Sequence, residues 1–426
     1  MALAPIFDAA CAYGTESEVG GKPVTAQERQ IPGQLFGTIC NTIIKQLGEE
    51  RGDPETMESL ADALSEVTGS AFLSLVNGEP GRHVAKLKAA ESRQMVNSLT
   101  QLVGECLERR SELFQGMAAA TDEDEVAEYE EALEGESDLL TPLVDSIGYT
   151  LKSGGQSFVP VFDSIIAPTF GKMLSGASVD VKARFASVCL FDDCVEHLGR
   201  DCAVRHAPAL LQGVMEGLDD GKNMGDIELK QACVYGVAQI ARQAPHALTE
   251  VVGPILEKLM SIVGAGAPDE DGVSLVENAV SALASMVVFK GAPFSATLSA
   301  ANAAAVKETV LNSFPLREDS TEAFFCHEKL ADLIEMEDES CVGSAQNLSR
   351  ILRIIAQVMQ SASEGEPLAN PATLSKFKCL MGKLEKSKYA QNAFGFLEPS
   401  HQLELQKMVQ QKQHPVLATN PRVITP

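Results

Sequence analysis

Asp193 and His197 stand one helical turn apart within Cys189–His197 (CLFDDCVEH), a spacing that puts a carboxylate and an imidazole on one helix face. Such a pair could hold a metal ion or pass a proton. Either chemistry needs a third group within reach, and the sequence offers none. The seven histidines are scattered, and no Ser/His/Asp set stands out from chance. The ten cysteines form no CxxC pair and show no metal-ligand spacing. Gly154-Gly155 and Gly264-Ala-Gly266 lack the preceding strand and following Lys-Ser/Thr of a phosphate-binding loop. The expectation is therefore no catalytic residue, no metal and no cofactor: a protein that is not an enzyme. A helical metallo-enzyme centred on Asp193 and His197 is the weakest of three readings, and would need a tightly bound metal.

The elements that carry these residues repeat. Val181–Leu198, Leu229–Gln243 and Val276–Phe289 show one apolar ladder at a constant offset of 46 residues. Val188, Val234 and Val280 share a column, as do Phe191, Val237 and Leu283. Cys194, Ile240 and Met286 make a third column, and Val195, Ala241 and Val287 a fourth. In that register Asp193 aligns with Gln239 and Ser285, and His197 with Gln243 and Phe289, so no metal or proton-transfer site recurs.

Shorter helices between the ladders also align. Pro168–Leu174, Pro208–Val214 and Pro254–Met260 each open on proline, with Phe170, Leu210 and Leu256 in one column and Leu174, Val214 and Met260 in another. Proline ends or bends a helix, so each unit reads as a bent helix followed by a straighter one. That is the plan of a HEAT repeat, whose period is about 40–47 residues. Apolar spacing elsewhere is helical and strand-like alternation is hard to find. The fold expected is all-α: a HEAT-repeat (ARM-like) right-handed α-α superhelical solenoid. Residues 1–121 would be HEAT-like hairpins, 122–138 an acidic insert, 139–411 the HEAT array and 412–426 a disordered tail.

Charge narrows the partners. Thirty-four Lys and Arg face 59 Asp and Glu, a net −25. Such a surface repels phosphate backbones, so no nucleic acid is expected, while basic proteins are attracted at long range. No apolar run is long enough for a membrane span, and the cysteine usage fits a reducing, intracellular setting.

With the ladder placed, CLFDDCVEH resembles the helix bearing a Phe-Asp-Asp-x-x-Glu-His stretch in the carboxy-terminal half of the importin beta (karyopherin) family, in particular its karyopherin beta-three branch. Lys230–Val237 (KQACVYGV), Glu277–Ala282 (ENAVSA), Phe314–Asp319 (FPLRED), Leu330–Glu335 (LADLIE) and Leu397–Val409 (LEPSHQLELQKMV) follow in the same order, and an acidic insert precedes them. The resemblance covers most of this chain but only about the last two-fifths of a typical member. It implies a nuclear transport receptor that carries protein cargo with basic nuclear localisation signals, binds nucleoporin Phe-Gly repeats and moves between cytoplasm and nucleus. The family's main Ran-binding repeats lie at the amino-terminal end and have no counterpart here, which puts Ran GTPase binding in doubt. The chain would then be a carboxy-terminal fragment of a longer one. The alternative is a generic HEAT-repeat scaffold or regulatory subunit.

Two sets of residues are candidates for partner binding. Asp192, Asp193, Glu196, Gln239 and Ser285 occupy polar positions of second helices, which in that family line the concave face; they would form a strip for basic cargo. Asp122, Glu123, Asp124, Glu125, Glu128, Glu130 and Glu131 belong to a segment with ten carboxylates in 17 residues. Like-charge repulsion makes that segment a solvated loop or a loosely helical insert, which could screen or mimic cargo.

Overall fold

Most of the chain's second helices start on an aspartate whose side chain accepts a hydrogen bond from a free backbone N–H of the first turn. Asp53 accepts from Thr56, Asp122 from Glu125, Asp180 from Lys182, Asp226 from Leu229 and Asp319 from Thr321 and Glu322. Asn370 plays the same part toward Thr373. These caps satisfy donors that the helix itself cannot, and their charge suits the positive end of the helix dipole. They fix where each second helix begins, and so which of its faces meets its neighbours.

The computed structural model describes residues 18–19, 22–23, 31–51, 53–76, 89–176, 180–219, 226–270, 272–289 and 291–413. They fall in two compact units, Met1–Ala247 and Leu248–Pro426. The proposed tail lies outside them from residue 414 onward. Apart from a two-residue antiparallel ladder, Glu18–Val19 on Lys22–Pro23, the described elements are helical. Among the described residues no helix is long and apolar enough to cross a membrane.

In the first unit the helices are α1 (Ile31–Glu49), α2 (Pro54–Val76), α3 (Ala89–Ala119), α4 (Glu123–Gly154), a bent segment over 155–170, α5 (Val181–His197), α6 (Arg200–Gly217) and α7 (Ile227–Gln243). Hairpin partners pack together: α1 on α2, α3 on α4, the bent segment on α5, and α6 on α7. Second helices also stack side by side in the order α2, α4, α5, α7. The second unit repeats the scheme with α8 (Val252–Ala265), α9 (Gly272–Leu283, continued by a π turn Ala284–Val288), α10 (Ala300–Ser313), α11 (Ser320–Glu335), α12 (Ala345–Glu364) and α13 (Pro371–Leu384). Two last helices, α14 (Ala390–Gly395) and α15 (Pro399–Gln413), close it against α12.

The apolar ladder is the core. Val188, Val234, Val280, Phe191, Val237, Leu283, Cys194, Ile240 and Met286 are all buried to within 1%. Each fully buried aliphatic or aromatic side chain of this kind contributes roughly 1.5–3 kcal/mol, so the ladder is a main source of the array's stability.

Polar ties cross the seams between repeats. Arg110 on α3 is 4% exposed and donates to Asp180 Oδ2 at 2.7 Å, the Leu133 carbonyl at 2.8 Å and Ser137 Oγ at 2.6 Å. It joins α3, α4 and the cap of α5. In the second unit Glu277 of α9 accepts the backbone N–H groups of Arg317, Glu318 and Asp319, which seats the start of α11. Arg353 of α12 donates to the carbonyls of Leu311, Asn312 and Phe314 at the end of α10, where a cation matches the negative helix terminus.

Two expectations change. Residues 122–138 are not a separate insert but the capped first half of α4, a regular 32-residue helix that packs on α3. Repulsion is relieved because most of the carboxylates stay in water, while Leu133 is buried and Glu136 takes a bidentate pair from Arg109 at 2.6 and 2.8 Å. The proline bend is also uneven. Pro168 follows a π turn (Phe162–Ile166) and Pro208 lies inside α6, but Pro254 sits in the first turn of α8. There its missing N–H has no intrahelical partner to lose.

Candidate partner-binding surfaces

The stretch that drew attention in the sequence folds as a cluster around one lysine. Lys152 of α4 pairs with Asp193 at 3.1 Å and lies 5.2 Å over the ring of Tyr149. Burial pulls its pKa down, but the charge and hydrogen bond of Asp193, with Tyr149 and Glu196, outweigh this and raise it. Glu196 accepts a 2.6 Å hydrogen bond from Tyr235 on α7 and lies 3.5 Å from His197. Asp192 is 3% exposed, and its Oδ1 has no hydrogen-bond partner among the described residues. Burial, followed by the charges of Asp193 and Glu196, pushes its pKa well above the carboxylate range, against Lys152. Asp193 is raised too, chiefly by burial, with Lys152 and His197 opposing. Asp193 thus pairs with Lys152 and His197 lies beside Glu196, and neither belongs to a cluster of three metal-ligating groups among the described residues.

The strip proposed for basic cargo is mostly not at the surface. Asp192 is buried, Gln239 is 1% exposed and Ser285 6%. In the first unit α4 lies between α2 and α5, and α5 between α4 and α7, so a polar side chain on such a flank, as Asp192 is against Gly236 of α7, faces a seam and not solvent. Asp193 and Glu196 keep partial exposure, with 15% and 25% of their side chains open.

A more open acidic site lies on the same unit. A groove of about 830 Å³ runs between α2, α3 and the first half of α4. Its floor is Met57, Leu113, Tyr129 and Leu139, and its rim carries Glu55, Glu58, Glu112, Glu128 and Glu131. The two arginines on its wall are already engaged, Arg51 with Glu105 at 3.0 Å and Arg109 with Glu136. The five rim glutamates have no ion pair among the described residues. Negative charge around an apolar, aromatic floor suits a lysine or arginine side chain, whose stem packs while its head pairs. Glu128 and Glu131 were candidates by sequence; Glu55, Glu58 and Glu112 were not, although Glu55 and Glu58 share a helix face three residues apart. Of the other acidic candidates, Asp122 is the helix cap, and Glu123, Asp124, Glu125 and Glu130 lie outside the groove lining.

The fold also gathers three side chains that linear spacing kept apart. Cys194 at the end of α5 and Cys202 at the start of α6 have their sulfurs 3.5 Å apart, and the ligand atoms of Cys194, Cys202 and His206 lie within 4.8 Å of one another. His206 Nε2 meets Asp163 Oδ1 at 2.7 Å. The hydrogen bond from Cys194, with His206 and Arg205 beyond it, holds the Cys202 thiol well below its ordinary range against burial. The one available signal was Cys202 and His206 at i and i+4.

No protein-family model and no curated protein matches this sequence. Solved structures do. The karyopherin Kap121p bound to the SUMO protease Ulp1p superimposes with a TM-score of 0.62 over 90% of this chain and 31% of that one, at 20% identity. The fold is that of the karyopherins. Kap121p bound to Nup53p gives a TM-score of 0.61 at 18% identity, over 89% and 30% of the two chains. Kap121p bound to RanGTP gives 0.60 at 17%, over 90% and 31%. The chain spans about a third of the length of these karyopherins, and the likeness is one of HEAT-repeat architecture.

Proposed function

We propose that this chain is part of an importin beta-like nuclear transport receptor that acts by binding protein partners and not by catalysis. The observation that carries the reading is an open acidic groove with an apolar floor, set in a karyopherin fold on a chain of net charge −25. Basic protein cargo bearing nuclear localisation signals is the partner whose chemistry fits the groove. Kap121p, the karyopherin of similar fold, has been solved with Nup53p and with RanGTP; nucleoporin Phe-Gly segments are a second class of partner on this reading, and Ran a less favoured third. The protein would then work in both cytoplasm and nucleus.

The test is a binding assay on the purified chain. A fluorescent Lys/Arg-rich peptide should bind, a scrambled acidic peptide should not, and affinity should fall steeply with salt. Pull-downs with immobilised Phe-Gly peptide and with GTP-loaded Ran run alongside. Stable capture of an enzyme subunit, with no response to basic peptide, Phe-Gly peptide or Ran, would replace this reading with the scaffold one.

A further inference from the structure

We infer that Cys194, Cys202 and His206 form a binding site for a thiophilic divalent cation of the zinc type. Zinc in protein sites is tetrahedral with Zn–S near 2.3 Å, which sets two ligating sulfurs about 3.8 Å apart. The two sulfurs here are 3.5 Å apart, and the imidazole completes a set whose members all lie within 4.8 Å. An ion at their centre needs the thiols to open by only a few tenths of an ångström.

The imidazole is held as a metal-bound histidine is held. Its Nε2 is engaged by the Asp163 carboxylate at 2.7 Å, and Arg205 pairs with that carboxylate at 3.2 Å. A carboxylate on one ring nitrogen leaves the other free to coordinate and raises its basicity. Edge-on contacts to Phe162 at 4.9 Å and Phe191 at 5.9 Å fix the plane of the ring. The backbone supports the same geometry. Gly199, at φ 92°, turns the chain sharply between α5 and α6, and this brings Cys202 and His206, one helical turn apart, over Cys194.

Charge balances as well. Two thiolates neutralise a divalent ion, and the neutral imidazole adds none, so the filled site costs no uncompensated charge in a buried setting. Both cysteines are buried, at 0% and 2% exposure, whereas His206 keeps 14% of its side chain open and Asp163 35%. The histidine edge is the entry path, and a solvent molecule supplies the fourth ligand there. The ion would clamp the α5–α6 turn, tying one repeat to the next at a point where the array otherwise relies on packing.

The full reduced chain, desalted to remove metal, is titrated with zinc against a chromophoric chelator and with Co²⁺ as a spectroscopic probe. A single ion per chain should bind, with a sulfur-to-cobalt charge-transfer band in the near ultraviolet. Cys202→Ser and His206→Gln should each weaken zinc by a hundredfold or more, and Asp163→Asn by about tenfold or more, with far-ultraviolet dichroism unchanged. His206→Gln changes a residue whose edge still reaches solvent, at 14% exposure, and guards against a folding failure at the buried cysteines. Zinc should protect Cys194 and Cys202 from alkylation while exposed Cys379 still reacts. Zinc affinity equal to that of Cys202→Ser, unprotected thiols under zinc, or a Cys194–Cys202 disulfide that forms as readily with zinc as without would each overturn the site.

Discussion

Lys152 on α4 and Asp193 on α5 form a 3.1 Å ion pair between two adjacent second helices, within a cluster that also holds Asp192, Glu196 and His197. Their close approach depends on Gly148, where a Cβ would stand 2.6 Å from Asp193 Oδ2. With only 22% and 15% of the two side chains exposed, solvent screens the pair little. Lys152→Met should lower the stability of the first unit by on the order of 3 kcal/mol, because it strands a buried carboxylate. Adding Asp193→Asn should recover most of the loss. Urea unfolding of the two variants checks this, and a wild-type midpoint for Lys152→Met would remove the pair from the account of stability.

Asp192 gives the first unit a pH dependence of unusual sign. Its folded pKa lies well above its unfolded one, chiefly through burial, so the folded state binds the proton more tightly. Stability from this group is full below the unfolded carboxyl value, near 3.9, and is lost as pH rises toward the folded value. Asp192→Asn should therefore stabilise the first unit at neutral pH and flatten its stability profile above pH 4. Urea midpoints measured across that range decide it; parallel profiles for the two proteins would mean that Asp192 is ionised at no cost.

His327 acts in the opposite direction in the second unit. It is fully buried on α11, its Nδ1 is 2.7 Å from the Leu368 carbonyl, and burial lowers its pKa to about 4. The folded state thus resists a proton that the unfolded chain accepts near pH 6.5. The stability of the neutral form is complete above that value and is lost as pH falls through 6.5 toward 4, by about 3 kcal/mol. His327→Gln, which retains a donor, should remove this acid sensitivity. A chevron midpoint for the second unit that is as acid-sensitive in His327→Gln as in the parent would assign the effect to another group.

The architecture was legible because burial repeats with the helix period. Val188, Val234 and Val280 share a column for the same reason that they share an environment. Polar positions followed no such rule. Gln239 and Ser285 look like surface residues in a single helix, yet both are buried in the fold. The acidic stretch misled in the other direction, since repulsion among ten carboxylates does not prevent a helix when Asp122 caps it and most of the charge faces water. Convergence of Cys194, Cys202 and His206 depends on the sharp turn at Gly199, and a backbone angle has no direct signature in spacing.

The recurring aspartate caps make a graded prediction. Asp226 caps α7 through Leu229 and has no ion pair among the described residues, so Asp226→Ala should cost about 1 kcal/mol. Asp180 caps α5 and also receives Arg110. Asp180→Ala therefore loses the cap and leaves a buried guanidinium short of its anion, at about 3 kcal/mol in all. Arg110→Lys should not substitute, since the fork reaches Asp180, Leu133 and Ser137 together. Equal losses for the two aspartates would show that Arg110 is satisfied without Asp180.

The groove between α2, α3 and α4 makes the last prediction, and it separates a binding surface from a merely acidic one. Glu128→Lys with Glu131→Lys reverses charge on a solvated helix face and should leave stability within about 0.5 kcal/mol. Binding of a Lys/Arg-rich peptide should nevertheless fall by tenfold or more at low salt, because long-range attraction and direct pairing are lost together. Tyr129→Ala tests the floor. It removes packing for the aliphatic stem and the ring face for the cation, so it should weaken binding by a similar factor with little change in salt dependence. A reversal placed elsewhere on acidic surface, at exposed Glu257 and Glu364, controls for net charge. Were it to weaken the peptide as much as the change at Glu128 and Glu131, the groove would have no special part, and attraction to the whole acidic surface would account for binding.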